Sequence, residues 1–542
     1  MKTTSMLSIV LIALMCIQSA GTSQSRRNSS MWKPAVSLPA YSNVWLDMNR
    51  IKMDLNNRGG LESLAQVGGA FWPDTSNYRD RVIVFDLGPW VVGKLRDTVK
   101  MGFSQWGSSY SPGPVINGQA ALIAAPGDSL RYRLYKIAGG EGQNTNPDYT
   151  EWPAEWGAPV DAQGKPRLYG DQTVWTVFNN LDATAPSGWW QSHMPNPGLP
   201  LEIRQTAYEH AITGGDTNTL LANVAIIEWT IINVGEAPIE SAYVSLWTDI
   251  DFNLAPDNRP AIDTVHQLGY CWQAYDDGYG PPRAVGFVWL YGPAVPSLGS
   301  TAIFRGESRA NMRNLPLSSF WGIQDDSYQD ESFYGPAKSM KTAWNIARGL
   351  DKMGNPILDS VTHQVTRFPY SGDPVTGTGW LCPHSSGGAG FNLFSGPFTF
   401  APRDTQWVMA ALLPSTSSDR LECVTLLRQY AATLRSMSYS ELILTSASGT
   451  TPTVPSAVRL EQNYPNPFNP TTAIRYALPQ RTHVVLTIFN TLGQQVASLV
   501  NETQDAGQHE VRFEATGLAS GVYFYRLRAG EYAETKRLIL IR

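Results

Sequence analysis

Charged residues are scarce in this chain of 542 residues, and neither sign dominates. They make up 16% of the sequence, and 41 Lys and Arg against 46 Asp and Glu give a net charge of -5. Such a chain has no broad basic field that would hold a polyanion. The composition therefore argues against a nucleic-acid partner and against binding to an anionic membrane surface.

Cysteine is also rare, with four residues in the whole chain. No Cys-x-x-Cys pair occurs, so the spacing typical of a structural zinc site is missing. If a leader that contains Cys16 is removed, Cys271, Cys382 and Cys423 allow at most one disulfide within the chain. A bridge between Cys382 and Cys423 is compatible with the sequence, and so are three buried thiols, which leaves the pairing open.

Long apolar runs are limited to the N-terminus. Lys2 is followed by an apolar run at 6–17 and then by small and polar residues, a pattern typical of a secretory signal peptide, which we predict at residues 1–23. Leu14 and Met15 precede Cys16, whereas small residues would precede an acylated lipoprotein cysteine. No later run of about 20 uncharged apolar residues follows, so we expect no transmembrane anchor.

Aromatic and turn-forming residues are abundant. The chain has 18 Trp, 23 Tyr, 47 Gly and 37 Pro, which favours an extracellular, mainly β protein of two or three domains. We predict a large region of β-sandwich type at 24–445, which we call the cargo. Helical patterns are scarce in it, and the best one lies at 421–437. Strand patterns in this region occur at 81–85, 130–137, 173–178, 224–232, 242–248, 283–290 and 407–413.

A change of composition marks the C-terminal part of the chain. Small polar residues and two prolines at 446–457 predict a linker. Beyond it, residues 458–542 contain short runs with apolar residues at every second position, separated by glycine-containing turns. This period predicts about seven strands with one buried face each. Their number and spacing predict a seven-stranded immunoglobulin-like sandwich.

The most specific motif lies at the start of this tail. Three prolines fix the backbone of the segment 463–470 in an extended, non-helical conformation. The motif and the later positions that accompany it are Tyr464, Pro465, Asn466, Pro467, Phe468, Asn469, Pro470, Gly493, Gly521 and Lys536. With these residues the tail resembles the type A C-terminal sorting domain of type IX secretion substrates, and also the immunoglobulin-like domain of flagellar hook-capping proteins.

The resemblance implies a route out of the cell. The Sec translocon would export the precursor, an outer-membrane type IX translocon would recognise the folded tail, and a sortase-like protease would remove it. Lys536 would belong to a late recognition strand, although it could also simply solvate an edge strand. The expected destination is the cell surface or the medium.

The central region resembles a large domain of unknown function that recurs ahead of such tails. The resemblance rests on short motifs, among them Glu151-Trp152-Pro153, Gly170-Asp171-Gln172-Thr173 and Ser245-Leu246-Trp247-Thr248-Asp249. It implies no reaction, so the chemistry has to be sought in the residues themselves.

A group of acidic residues suggests calcium as the only cofactor to consider. Asp249, Asp251 and Asp257, with Asp263 further along, are spaced so that oxygen ligands could converge on a hard cation. Leu254 and Pro260 occupy positions where an EF-hand has its turn glycine and its bidentate glutamate. An EF-hand is therefore excluded, and a looser calcium site is the hypothesis, with loop residues that cap strand ends as the alternative.

Two glutamates beside tryptophans suggest a carbohydrate. Glu151 and Glu155 lie next to Trp152 and Trp156, an arrangement that could place carboxylates against a sugar ring stacked on indole. We expect the cargo to be a non-catalytic binding or adhesion protein, with an extracellular glycan as one candidate ligand. The alternative is a polysaccharide-degrading enzyme that uses these glutamates.

Overall fold

The structure of the chain is a computed structural model. It describes residues 42–62, 68–73, 81–105, 107–121, 128–181, 198–212, 219–253, 257–275, 280–324, 336–383, 389–445, 458–460, 462–463, 466–478, 482–504, 507–530 and 532–541. The predicted signal peptide at 1–23 and the predicted linker at 446–457 lie outside the described residues, and so do Tyr464 and Pro465.

Of the residues that the structure describes, strands hold 52% and helices 11%, which confirms the mainly β class. The cargo strands are β1 Asn43–Leu46, β2 Lys52–Asn56, β3 Ala70–Phe71, β4 Val82–Val84, β5 Asp86–Leu95, β6 Thr98–Phe103, β7 Ser111–Pro112, β8 Val115–Ile116, β9 Gln119–Ala120, β10 Tyr135–Ala138, β11 Gln172–Asn179, β12 Leu201–Glu209, β13 Ala225–Asn233, β14 Ile239–Ile250, β15 Asn258–Asp263, β16 Leu268–Gln273, β17 Arg283–Tyr291, β18 Ala294–Phe304, β19 Glu307–Asn314, β20 Ser319–Gln324, β21 Ile357–Leu358, β22 Val365–Thr366, β23 Ala389–Phe400 and β24 Thr405–Thr416.

Four α-helices accompany these strands in the described residues. They are α1 Pro147–Thr150, α2 Pro336–Ala347, α3 Arg420–Ser436 and α4 Tyr439–Ile443. Helix α3 corresponds to the helical pattern predicted at 421–437. It begins where the Asp419 carboxylate accepts the backbone N–H groups of Leu421 and Glu422, the usual way in which an N-cap satisfies the first turn.

Two large sheets form the cargo sandwich. One has nine strands in the order β10-β11-β12-β13-β24-β17-β16-β15, with β7 beside β11, and the other has five in the order β20-β23-β14-β5-β6. At the centre of the larger sheet, β13 and β24 are antiparallel, with Trp229 opposite Val408. The core between the sheets includes Trp229 and Val408 from one sheet and Leu246 and Phe391 from the other.

The outer faces of both sheets are buried as well, because a helix covers each of them. On the nine-stranded sheet, Trp407 and Met409 pack with Val424 and Leu427 of α3. On the five-stranded sheet, Trp90 and Trp247 pack with Trp344 of α2. Alternate side chains of one strand therefore enter different cores, which explains why these strands are continuous apolar runs in the sequence.

Most predicted cargo strands are confirmed, but one boundary is wrong. The run at 130–137 is not a single strand, because Asp128–Tyr132 forms a 3-10 helix and β10 begins only at Tyr135. Helix α2 was not predicted from the sequence. Among its described side chains, Ala343, Trp344, Ile346 and Ala347 are buried in the outer core and Met340 packs against them.

The tail contains seven strands around one separate core. They are β25 Arg459–Leu460, β26 Thr471–Leu478, β27 Thr482–Phe489, β28 Gln495–Gln504, β29 Gly507–Glu514, β30 Gly521–Ala529 and β31 Tyr532–Leu540. One sheet has the order β25-β26-β29 and the other β28-β27-β30-β31. Both contribute to a core that includes Ile474, Leu486, Tyr525 and Leu538. The strand number agrees with the sequence, while the immunoglobulin-like topology stays a prediction.

Candidate functional site

The proline motif of the tail lies along the last strand. Phe468 forms a parallel bridge with Leu540; its N–H donates to the Ile539 carbonyl at 2.9 Å, and its carbonyl accepts the Ile541 N–H at 3.0 Å. The prolines on either side lack an N–H, the chain bends on both sides of Phe468, and the Asn466–Pro467 peptide bond is cis. The motif therefore pairs with β31 over a short stretch, as an additional strand would.

The Asn466 side chain holds the same strand through both of its amide atoms. Its Nδ2 donates to the Arg537 carbonyl at 3.1 Å and its Oδ1 accepts the Ile539 N–H at 2.9 Å. Gln462 adds a further hydrogen bond to the Arg537 carbonyl at 2.8 Å. Because β31 is an edge of its sheet, these contacts satisfy backbone groups that an edge strand otherwise presents for pairing.

Asn463 anchors the start of the motif inside the tail. It is 2% exposed; its backbone N–H donates to the Tyr525 hydroxyl at 2.8 Å, and its Nδ2 donates to Thr472 Oγ1 at 2.9 Å. Burial raises the pKa of Tyr525 to about 12, so this hydroxyl stays protonated at neutral pH. The Phe468 ring, 2% exposed, packs near Phe513 with 6.0 Å between ring centroids.

Lys536 lies on the strand that the motif holds. Its Nζ is 3.1 Å from a carboxylate oxygen of Glu534, two residues earlier on the same face. Tyr532 also donates a hydrogen bond to Glu534, and these two interactions, Tyr532 first, lower the pKa of the Glu534 carboxyl. The structure thus places Lys536 in a row with Tyr532 and Glu534, next to the contacts of the proline motif.

The remaining predicted sorting residues have different surroundings. Gly493 has a φ of 76° in the turn between β27 and β28, a conformation that favours glycine, and its N–H donates to the Asn490 carbonyl at 3.0 Å. Gly521 is the first residue of β30, and apart from its two chain neighbours no other residue lies within 4 Å of the place where its side chain would begin. Pro467 and Asn469 are exposed, whereas the Pro470 carbonyl accepts the Ala515 N–H at 2.9 Å.

The candidate calcium ligands do not form one group. Asp257 and Asp263 flank the ends of β15, about 20 Å apart at the usual rise of a strand. The Asp263 carboxylate instead contacts His266 Nδ1 at 2.8 Å and Arg428 Nε at 3.2 Å. No three His, Cys, Asp or Glu side chains gather as metal ligands among the residues that the structure describes. A site at Asp249, Asp251 and Asp257 stays a prediction.

The tryptophans beside the candidate glutamates are not a surface platform. Trp152 and Trp156 are 7% and 8% exposed, and Trp152 packs against Trp175 with 6.4 Å between ring centroids. The prediction that these two indoles present a sugar-stacking face is therefore wrong. Their partners come from distant strands, which the local sequence does not indicate.

The two glutamates point to solvent and have arginine partners. A Glu151 carboxylate oxygen is 2.8 Å from Arg133, which also contacts Asp148 at 2.7 Å. Glu155 lies 3.7 Å from Arg131, and both side chains are more than half exposed. Whether these carboxylates flank a bound sugar, as the enzyme alternative requires, stays a hypothesis.

A buried polar cluster of the cargo surrounds Glu228, which is 2% exposed. This carboxylate accepts hydrogen bonds from Tyr208 at 3.1 Å, Trp407 at 3.1 Å and Tyr439 at 3.4 Å. Burial raises the pKa of Glu228, and the charge of Arg305 opposes this shift. Sequence reasoning missed the cluster because its members are up to 211 residues apart. It ties helix α4, at the end of the cargo, to the nine-stranded sheet.

Comparison with known families shows which family the tail belongs to. Residues 462–541 match the sequence model of the family described as the secretion system C-terminal sorting domain. The tail is a type IX secretion sorting domain. The chain is therefore a substrate of the type IX secretion system, exported to the cell surface or the extracellular space. The match covers only the tail, so the resemblance of the central region to an uncharacterised domain stays a prediction.

Comparison with whole proteins adds little about the cargo. No curated protein matches the sequence. A solved polysaccharide lyase is similar at 9% identity over 68% of this chain and 39% of its own, with a TM-score of 0.18. Dimeric latent PorU from Porphyromonas gingivalis shows 12% identity over 71% and 33%, with a TM-score of 0.15. PorZ, a surface component of the type IX system of that organism, shows 11% over 93% and 58%, with a TM-score of 0.13.

The chain spans less than two thirds of the length of each of these structures. At such TM-scores the similarities support no conclusion about fold or activity. Among the described helices, none has the length and apolar character needed to cross a bilayer.

Proposed function

We propose that the cargo is a non-catalytic binding or adhesion protein that acts at the cell surface or in the medium. The observation that carries this proposal is an exposed apolar surface on the excursion, by which we mean residues 349–383 between helix α2 and strand β23. Within the excursion, β21 and β22 form a short hairpin.

The excursion presents aliphatic side chains to solvent. Leu358 and Val365 are cross-strand partners in the hairpin and are 55% and 66% exposed, Val361 near its tip is 57% exposed, and Met353 is 75% exposed. Single exposed aliphatic residues are ordinary, but several close together in a secreted protein are typical of an interaction surface.

Hydrogen bonds fix the backbone beneath this surface. The Asp359 carboxylate accepts the N–H groups of Val361 and Thr362, each at 2.8 Å, and Asp351 holds the Asn355 N–H at 2.7 Å. The hydrogen bonds from Thr362 and Val361 lower the pKa of the Asp359 carboxyl. A loop that is already ordered loses little conformational entropy on binding, which supports a role in recognition.

The chemistry of the surface favours a partner with an apolar face. Aliphatic side chains bury area against a protein or another apolar surface, whereas sugar recognition relies on aromatic faces and hydrogen bonds. We therefore propose a protein partner. Retention on cellulose and not on protein-coated beads would contradict this choice of partner.

The test compares retention of the purified chain on beads coated with extracellular matrix protein, with cellulose, or left bare. We expect the double variant Leu358→Ser and Val365→Ser to lose at least tenfold in retention on protein-coated beads. Leu298→Ser is the matched control, because Leu298 is 93% exposed on the separate β18–β19 hairpin, and it should behave like the wild type.

Two outcomes would contradict the proposal. Equal retention of the double variant and the wild type would mean that the excursion does not bind. Release of reducing ends from a polysaccharide, lost on Glu151→Gln, would show that the cargo is an enzyme.

A further inference from the structure

All three cysteines of the cargo are buried thiols in the structure, and two of them lie at the same end of the sandwich. We propose that Cys271 and Cys382 form a disulfide bond in the exported protein, whereas Cys423 remains a thiol. The proposal rests on the position of the thiols and on export, and it does not depend on what the cargo binds.

Cys271 faces the core between the two sheets. It lies on β16, directly opposite Pro260 of β15, and its side chain belongs to the cluster that fills the sandwich. Tyr370 of the excursion packs against the same cluster. The Ile262 N–H donates to the Tyr370 carbonyl at 3.3 Å, which fixes this part of the excursion over β15.

Cys382 is brought to this place by the end of the excursion. The Gly372 N–H donates to the Trp380 carbonyl at 3.0 Å, and the rings of Tyr370 and Trp380 are 5.2 Å apart. Cys382 follows Trp380 by two residues and is 5% exposed. The chain thus returns along Tyr370 toward β15 and β16 before it enters β23.

The electrostatics agree with this proximity. Burial first, and then the charge of Cys382, raise the pKa of the Cys271 thiol well above its usual range. Burial, followed by the charge of the same Cys382, raises the pKa of Tyr370 to about 12. Both shifts agree with a place for Cys382 beside Cys271 and Tyr370, which the chain path from Tyr370 and Trp380 already indicates.

Cys423 lies on the other side of the nine-stranded sheet. It belongs to helix α3 and to the outer cluster beneath that helix. Its thiol donates to the carbonyls of Pro282 at 3.2 Å and Asp419 at 3.3 Å. A bridge from Cys271 to Cys423 would have to pass through the sheet, and the Cys382–Cys423 bridge considered from the sequence has no comparable support.

The reaction is a thiol–disulfide exchange. One bond forms between the two Sγ atoms, two S–H bonds break, and two protons and two electrons leave. The electrons reduce a protein disulfide of the cell envelope, and the two protons end on the two thiols that this disulfide becomes. Because burial disfavours the thiolate, the exchange takes place while the cargo folds. The product would close a loop of about 110 residues and tie the excursion to β16.

The test is a peptide map of the exported protein, purified from the medium of a type IX host with or without its tail. The protein is unfolded without reductant, alkylated with iodoacetamide, digested and analysed by mass spectrometry. We expect a cross-linked peptide pair that contains Cys271 and Cys382, with alkylation at Cys423. Alkylation of all three cysteines, or a cross-link that includes Cys423, would overturn the proposal.

A second measurement uses thermal unfolding with and without a reductant. Reductant should lower the Tm of the cargo by roughly 5–10 °C in the wild type and in Cys423→Ser. It should leave the Tm of Cys382→Ser unchanged. The same Tm for the wild type in both conditions would contradict the proposal.

Discussion

The cargo and the tail bury their strands in different ways. Central cargo strands such as β24 are buried along almost their whole length, because a second sheet covers one face and a helix the other. Tail strands such as β30 alternate between buried and more exposed side chains. The tail therefore depends on one small core and on the fit of its edge, whereas the cargo depends on layers that come from distant parts of the chain.

The two regions also differ in the polar groups that they bury. The cargo encloses the carboxylates of Glu209 and Glu228, whereas the buried motif residue of the tail, Asn463, bonds to hydroxyl groups. Buried ionisable groups make stability depend on pH. The comparison predicts that the two regions respond separately to substitution and that the cargo is the more sensitive to pH.

The largest effect is expected from Phe468→Ala in the tail. Removing a buried phenylalanine typically costs about 3–5 kcal/mol, which is most of the stability of a domain of this size. Calorimetry of the full chain should show that the tail transition is lost or moved far down, while the cargo transition stays. Asn469→Ala, at the next and exposed position, is the control. A cargo transition that moves together with the tail would contradict the separation.

Leu427→Ala should destabilise the cargo and not the tail. This side chain of helix α3 is fully buried against the nine-stranded sheet, and its loss should cost about 2–5 kcal/mol. The cargo transition should fall while the tail transition stays. Gln429→Ala on the exposed side of the same helix should change neither, and an equal effect of both variants would mean that α3 does not cover the sheet.

The stability of the cargo should depend on pH because of the buried carboxyl of Glu209. Burial raises the pKa of Glu209 to about 8, above its unfolded value of about 4.3. The folded state therefore keeps a proton that the unfolded state loses, and this group makes the cargo less stable as pH rises between these values, by about 1.4 kcal/mol per pH unit.

Urea unfolding at pH 5 and pH 8 checks this sign. In Glu209→Gln the slope should be smaller than in the wild type, whereas Glu307→Gln, an exposed position on β19, should keep the wild-type slope. A cargo whose stability changes with pH identically in the wild type and in Glu209→Gln would refute the assignment.

The smallest effect is expected from Asn466→Ala. Loss of the two amide hydrogen bonds to β31 should lower the stability of the tail by about 1–2 kcal/mol. Amide exchange should accelerate at Ile539, whose N–H loses its acceptor, more than at Ile541, whose N–H keeps the Phe468 carbonyl. Equal acceleration at both amides would indicate that the motif detaches as a whole.

Local patterns predicted much of this architecture. The alternation of apolar residues in the tail predicted its seven strands, and the helical spacing at 421–437 predicted α3 to within a residue at each end. In both cases one buried face repeats along a single element. The layers of the cargo and the burial of Trp152 could not be foreseen in this way, because the covering residues are supplied by other strands and helices.

The contacts of the proline motif also lay beyond local reasoning. The motif itself was evident in the sequence, but its acceptor on β31, the Arg537 carbonyl, lies 71 residues from Asn466. Every residue has a backbone carbonyl, so the sequence does not show which one accepts a hydrogen bond from the motif. The sequence therefore indicated the motif and not the strand that the motif contacts.

The most direct test of the account is the delivery of a reporter that carries the tail alone. Residues 458–542 would be fused behind a Sec-exported fluorescent protein in a host with a type IX translocon, and surface exposure would be measured by protease shaving. The account predicts that the reporter reaches the surface or the medium with this tail and stays in the periplasm when the tail carries Phe468→Ala. A reporter with the intact tail that remained in the periplasm would contradict it.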